Sequence, residues 1–104
     1  MSTVATAISK AERIGKAVAD IGKRIRFQDF DVILISGSMF GGSDMIQVSV
    51  QTETRAELHR AAAYFGLYES KDLAGDTTTY APQRVVGLPG VMVEVYGPGP
   101  ESDR

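Results

Sequence analysis

The chain contains no cysteine and no tryptophan, and its only histidine is His59. Without cysteine it forms no disulfide, no thiolate zinc site, no iron–sulfur cluster and no cysteine nucleophile. A single histidine also cannot supply a metal triad, and no serine occupies the Gly-x-Ser-x-Gly turn of the hydrolases. The sequence therefore predicts no catalytic residues, no metal site and no cofactor, and indicates that the protein is not an enzyme.

Long apolar runs are also missing. No stretch approaches the roughly 20 apolar residues that cross a bilayer. The first ten residues lack the basic segment and apolar stretch of a secretory signal. We expect a cytoplasmic protein without membrane contact.

The charges are unevenly distributed, although the net charge is only −2. Residues 1–26 carry six basic and two acidic side chains, so a basic segment is joined to an acidic remainder. One interpretation is that the two regions attract each other within one fold. The alternative is a nucleic-acid-binding stripe on the first helix, formed by Lys16, Lys23, Arg24 and Arg26.

Length and composition are those of one globular domain, with 104 residues of which 43% are hydrophobic and 23% charged. We assign residues 1–97 to a single domain. The Gly- and Pro-rich end, residues 98–104, is predicted to be a disordered tail.

Apolar or small residues recur at alternating spacings of three and four near the start of the chain, which predicts an amphipathic helix. The same spacing is that of a short coiled-coil seam, so the stripe would dock either on a sheet or on a second copy in a homodimer. The stripe consists of Val4, Ala7, Ala11, Ile14, Val18, Ile21 and Ile25.

The next segment has the pattern of a β-hairpin. The β-branched run from Val32 to Ile35 predicts a strand covered, at least in part, on both faces. Turn residues occupy 37–44, and apolar and polar residues then alternate from Ile46 to Gln51, as in a half-buried strand. At the tip, Met39 and Phe40 are candidate partner-binding residues, unless Phe40 folds back over the edge of the sheet.

A second helix and a second hairpin follow. Thr54 and Glu57 match a capping box that begins a helix, and Gly66 is placed to end it. Residues 68–76 are predicted to be a loop, and residues 77–86 a strand whose Pro82 requires an edge or a bulge. Alternation from residue 91 to 96 predicts the last strand.

The predicted order is therefore α-β-β-α-β-β. Two hairpins and two helices on one face favour an α+β two-layer sandwich with a four-stranded antiparallel sheet.

Residues 46–96 contain Val-Ser-Val-Gln-Thr, Arg-Ala-Glu-Leu-His-Arg-Ala-Ala-Ala-Tyr-Phe-Gly-Leu and Gly-Val-Met-Val-Glu-Val-Tyr-Gly. This half of the chain resembles small uncharacterised domains of actinobacteria and their phages. It is also faintly similar to one module of the vicinal-oxygen-chelate superfamily. The strands of this stretch carry Gln47, Gln51 and Glu94 at best. They therefore do not match the set of metal-binding histidine and glutamate residues of that superfamily.

These observations predict a non-enzymatic protein-interaction or assembly module that forms a homodimer. The resemblance adds the expectation of a phage-encoded protein that acts on a host or virion partner. Two alternatives stay open: nucleic-acid binding through the basic first helix, and a small-molecule binder or enzyme with a pocket at an interface.

Overall fold

The computed structural model describes residues 3–39, 44–67 and 77–99. The predicted loop at 68–76, the candidate residue Phe40 and residues 100–104 of the predicted tail lie outside these ranges. The elements follow the predicted order. They are α1 (Thr3–Ile25), β1 (Leu34–Met39), β2 (Ile46–Gln51), α2 (Arg55–Phe65), β3 (Thr77–Arg84) and β4 (Val91–Pro98).

The second helix begins and ends where its sequence signals stand. The Thr54 hydroxyl accepts a hydrogen bond from the Glu57 amide at 3.2 Å, and so satisfies a free donor of the first turn. Gly66 has φ 68° and ψ 35°, the left-handed conformation that glycine adopts without strain, and its amide donates to the last turn. Both predicted ends of α2 are confirmed.

The sheet is mixed, so the predicted antiparallel arrangement is wrong at one junction. The strand order is β1-β2-β4-β3 across the described residues. The pairs β1/β2 and β3/β4 are antiparallel hairpins, but β2 and β4 run parallel. The reason is that β3, which follows α2, takes the outer edge and runs opposite to β2. The hairpin then places β4 between β3 and β2, in the same direction as β2.

The placement of β3 at an edge follows from its own residues. Pro82 has no amide to donate, and the register of β3 against β4 shifts between Tyr80 and Gln83. The predicted edge or bulge is therefore confirmed in both respects. The valine-rich β4 takes the inner position, where it pairs on both sides.

The first strand lies later in the chain than predicted. It begins at Leu34 rather than Val32, and it includes Gly37 and Met39, which were assigned to the turn. Gly37 lies in the strand and packs closely against α1: a Cβ at this position would lie 2.7 Å from Ile14 Cγ2. The expected cover on both faces is only partial, since Leu34 is 49% exposed.

Both helices cover the same face of the sheet, and the core lies between the helices and the sheet. Alternate residues of β2 and β4 are buried there, as the alternation predicted; these are Ile46, Val48 and Val50 on β2, and Val91, Val93 and Val95 on β4. From α1 the core receives Ile21 and Ile25, and from α2 it receives Leu58, Ala61 and Ala62. Within the described residues, neither helix is long and apolar enough to cross a bilayer.

The strand β4 continues through Pro98, one residue into the predicted tail. Arg55, the first residue of α2, donates to the Pro98 carbonyl at 2.9 Å and to the Thr78 hydroxyl at 3.1 Å. This end of β4 is therefore tied to both α2 and β3.

Candidate interaction surface

The first half of α1 projects from the domain. Every described side chain from residue 4 to 13 is exposed, including Val4 at 67% and Ile8 at 54%. The second half is seated: Ile21 is fully buried and Ile25 is 6% exposed. The apolar stripe is therefore continuous, but only its second half is covered.

The projection follows from the difference in length between the helix and the sheet. A helix of 23 residues is about 35 Å long, whereas a six-residue strand spans about 20 Å. Gly22 lies beside Ile35, and Ile14 lies over Gly37, so α1 runs along β1 in the opposite direction. Arg13 marks the limit of the contact, where its guanidinium donates to the Asp44 carbonyl at 3.3 Å.

A second group of exposed apolar side chains lies at the other end of α1 and β1. Phe27 is 85% exposed, Ile33 55% and Leu34 49%. The guanidinium of Arg26 stacks over the Phe27 ring, 5.3 Å from its centroid. This group was not predicted from the sequence, because the run from Val32 to Ile35 has the pattern of a strand covered, at least in part, on both faces.

Of the two residues predicted at the hairpin tip, Met39 lies within the described residues. Met39 is the last residue of β1, and its side chain is half-buried against the core. It is therefore part of the margin of the core rather than a free contact. Phe40 lies outside the described residues, so its predicted role stays a prediction.

The four basic residues of the alternative interpretation do not form one stripe. Lys16 and Lys23 share the solvent side of α1, and the Lys16 ammonium lies 2.9 Å from an Asp20 carboxylate oxygen. Arg24 is half-buried and lies beside Gly87 in the turn between β3 and β4. Arg26 follows the end of the helix.

The ion pair on α1 changes the acidity of its carboxylate. The hydrogen bond from Lys16 is the main cause that lowers the pKa of Asp20, and the charges of Lys16, Lys23 and Arg24 act in the same direction. Desolvation opposes the shift. Lys16 is therefore partly neutralised by its own helix, which weakens its availability for a phosphate.

The face of the sheet away from the helices, here called the open face, is polar. Ser49 donates to the Glu94 carboxylate at 2.6 Å, and the Tyr96 hydroxyl donates to the Gln51 amide oxygen at 3.2 Å. These pairs link the parallel strands β2 and β4 across the middle of the sheet. They are side chains that satisfy one another on a half-exposed surface.

A shallow cleft of about 330 Å³ lies at the carboxyl ends of β2 and β4, with Gln51, Glu53 and Tyr96 among its polar residues. Two of these three groups are hydrogen-bonded to each other, and Glu53 is the only carboxylate among the three. His59 stands apart on α2, exposed, with Arg55 3.4 Å from its Nε2 and Tyr80 edge-on to its ring. Across the described ranges, no three His, Asp or Glu side chains gather as metal ligands.

Comparison with protein-family models, curated proteins and solved structures gives no match for this chain. The resemblances noted in the sequence thus stay predictions.

Proposed function

We propose that the protein is a non-enzymatic assembly module that forms a homodimer through the first helix. The observation that carries the proposal is the uncovered apolar surface on the projecting half of α1, where Val4 of the stripe and Ile8 beside it expose more than half of their side chains. The cytoplasmic location and the phage origin stay predictions.

The stripe supports the proposal for an energetic reason. Burying a Val or Ile side chain contributes about 1.5–3 kcal/mol, so covering this segment provides a substantial driving force for association. A projecting segment of three turns is also marginally stable as an isolated helix in water. A partner that packs along the projecting segment would supply the tertiary contacts that the sheet of the same chain does not provide there.

The alternatives receive less support from the geometry. Nucleic-acid binding needs several free cations on one surface. Here Lys16 pairs with Asp20, and Arg24 turns toward the domain. The cleft at Gln51 and Tyr96 presents polar groups that already bond to each other, which is a weak basis for a substrate site.

The test is molar mass by light scattering coupled to size exclusion, over a range of protein concentrations. We expect the full chain to be a dimer and the double variant Val4→Ser, Ile8→Ser to be a folded monomer. The control is Val86→Ser, because Val86 is 89% exposed but lies in the turn after β3, away from the projecting segment. A full chain that is monomeric at every concentration would overturn the proposal.

A further inference from the structure

The two edges of the sheet are protected to different degrees. Edge strands expose unpaired backbone groups, which proteins commonly shield with proline, charge or a bulge. At one edge, β3 has Pro82 and a register shift. At the other, β1 has the sequence Leu-Ile-Ser-Gly-Ser-Met, which contains no proline and no charged residue. The β1 edge is therefore suited to pairing with another strand.

The side of α1 above this edge is small and uncharged over its middle. Ile8, Gly15, Ala19 and Gly22 share one side of the helix, with spacings of seven, four and three residues. The opposite side carries Arg24, which faces the turn between β3 and β4. The small side therefore faces outward, past β1. A Cβ at Gly15 would meet nothing within 4 Å, which leaves room for another backbone.

Exposed apolar side chains lie at both ends of this outer wall. Ile8 and Val4 belong to the end where α1 projects, and Phe27 and Ile33 to the end where α1 turns into β1. A two-fold axis through the middle of β1 places the first end of one copy against the second end of the other. Each group then covers the other, which neither group does within a single chain.

We propose that two copies pair through β1 in antiparallel register, with Ser36 facing Ser36 of the second copy, to form a continuous eight-stranded sheet. Facing residues of paired strands point to the same face of the sheet. Even-numbered residues of one copy must therefore face even-numbered residues of the other, and odd-numbered residues must face odd-numbered residues. Centring the pair on Ser36 places Leu34 opposite Ser38 and Ile35 opposite Gly37 within β1, and Ile33 is the next residue outside the strand. Ile33 then faces Met39 of the second copy.

The two first helices lie side by side in this arrangement. Ala19 is level with Ser36, because Gly22 lies beside Ile35 while Ile14 and Val18 lie over Gly37. Ala19 therefore meets Ala19 of the second copy, flanked by the two glycines. Small residues allow the helices to approach to the lower end of the usual separation of about 8–10 Å.

Charge and area are consistent with a second copy as the occupant. Antiparallel helices bring the exposed Glu12 of one copy close to Lys23 and Arg26 of the other, so opposite charges meet at both ends. A wall about 35 Å long and 15–20 Å high buries on the order of 600 Å² per copy. The total exceeds the roughly 1,000 Å² expected of a specific interface.

The inference rests on the proposed homodimer, and disulfide trapping tests its geometry. The chain contains no cysteine, so a single introduced thiol reports one position. In the proposed pairing, the two copies of residue 36 have Cα atoms about 4.5–5.5 Å apart, within disulfide range. The matched control is residue 38, which is also an exposed serine on the same face of β1 but lies about 13 Å from its equivalent.

We expect Ser36→Cys to form disulfide-linked dimers in a glutathione redox buffer at least ten times faster than Ser38→Cys, with both variants retaining the native circular dichroism spectrum. If the full chain is a dimer by mass but the two variants cross-link at equal rates, or Ser38→Cys is faster, the β1 pairing is wrong while the assembly proposal stands. If the full chain is monomeric, the assembly proposal itself fails.

Discussion

The two halves of α1 have similar residues and opposite surroundings. In both halves, isoleucine, valine and alanine recur at helical spacing, yet Ile21 is fully buried and Ile8 is 54% exposed. The helix and β1 overlap over only part of the helix, so the sheet covers the second half and leaves the first uncovered. An amphipathic pattern thus shows which side of a helix is to be covered, but not by what.

The comparison of α1 with α2 also shows that the sequence pattern of a helix does not determine how much of it is covered. The second helix has 11 residues, is capped at both ends, and lies against β4, where a Cβ on Gly97 would lie 3.4 Å from Leu58 Cβ. The first helix has 23 residues and no acidic residue in its first turn. For α2, the capping signals in the sequence and the contact with the sheet agree in extent. By contrast, α1 extends beyond the part of the sheet that covers it.

The largest expected effect comes from truncating matched isoleucines in the two halves of α1. Ile21→Ala should lower the free energy of unfolding by about 2–5 kcal/mol, because it leaves a cavity in the core. Ile8→Ala should change it by no more than about 0.5 kcal/mol, as is usual for exposed positions. Urea unfolding at low protein concentration, where assembly contributes least, measures both. Equal losses would show that the projecting half is packed after all.

Matched glycine substitutions give the next effect. Gly37→Ala should destabilise the fold by about 1–3 kcal/mol, because the new methyl group would lie 2.7 Å from Ile14 and 2.8 Å from Val18. Gly15→Ala should instead stabilise the monomer by about 1 kcal/mol, since alanine is the better helix former and nothing lies within 4 Å. Thermal melting of the two variants compares them. A neutral Gly37→Ala would contradict the close contact between α1 and β1.

The smallest effect concerns the ion pair on the seated half. Lys16→Met should raise the pKa of Asp20, because it removes the hydrogen bond that holds this pKa below its ordinary value. A lowered folded-state pKa stabilises the protein at neutral pH, and that contribution is lost as the pH falls through the folded pKa. NMR titration of the Asp20 carboxyl carbon checks the direction. Lys10→Met, on the projecting half, serves as the control and should leave this titration unchanged.

The elements with local signals were predictable from the sequence. The cap at Thr54, the stop at Gly66 and the edge position of Pro82 depend on the hydrogen-bonding and backbone limits of single residues. The alternation on β2 and β4 marked the buried faces for the same reason. The predicted start of the turn at Gly37 was wrong, because this glycine belongs to a helix–strand contact that no neighbouring residue indicates.

The sequence by itself determined the order of elements, the ends of α2 and the apolar side of α1, since these follow from spacing and backbone chemistry within a few residues. Only the tertiary structure decided that β2 and β4 run parallel, that β1 is an open edge and that the stripe of α1 is covered over half its length. Those features depend on which strand of the second hairpin lies beside β2 and on the relative lengths of helix and sheet. Both arise from contacts between residues distant in the chain.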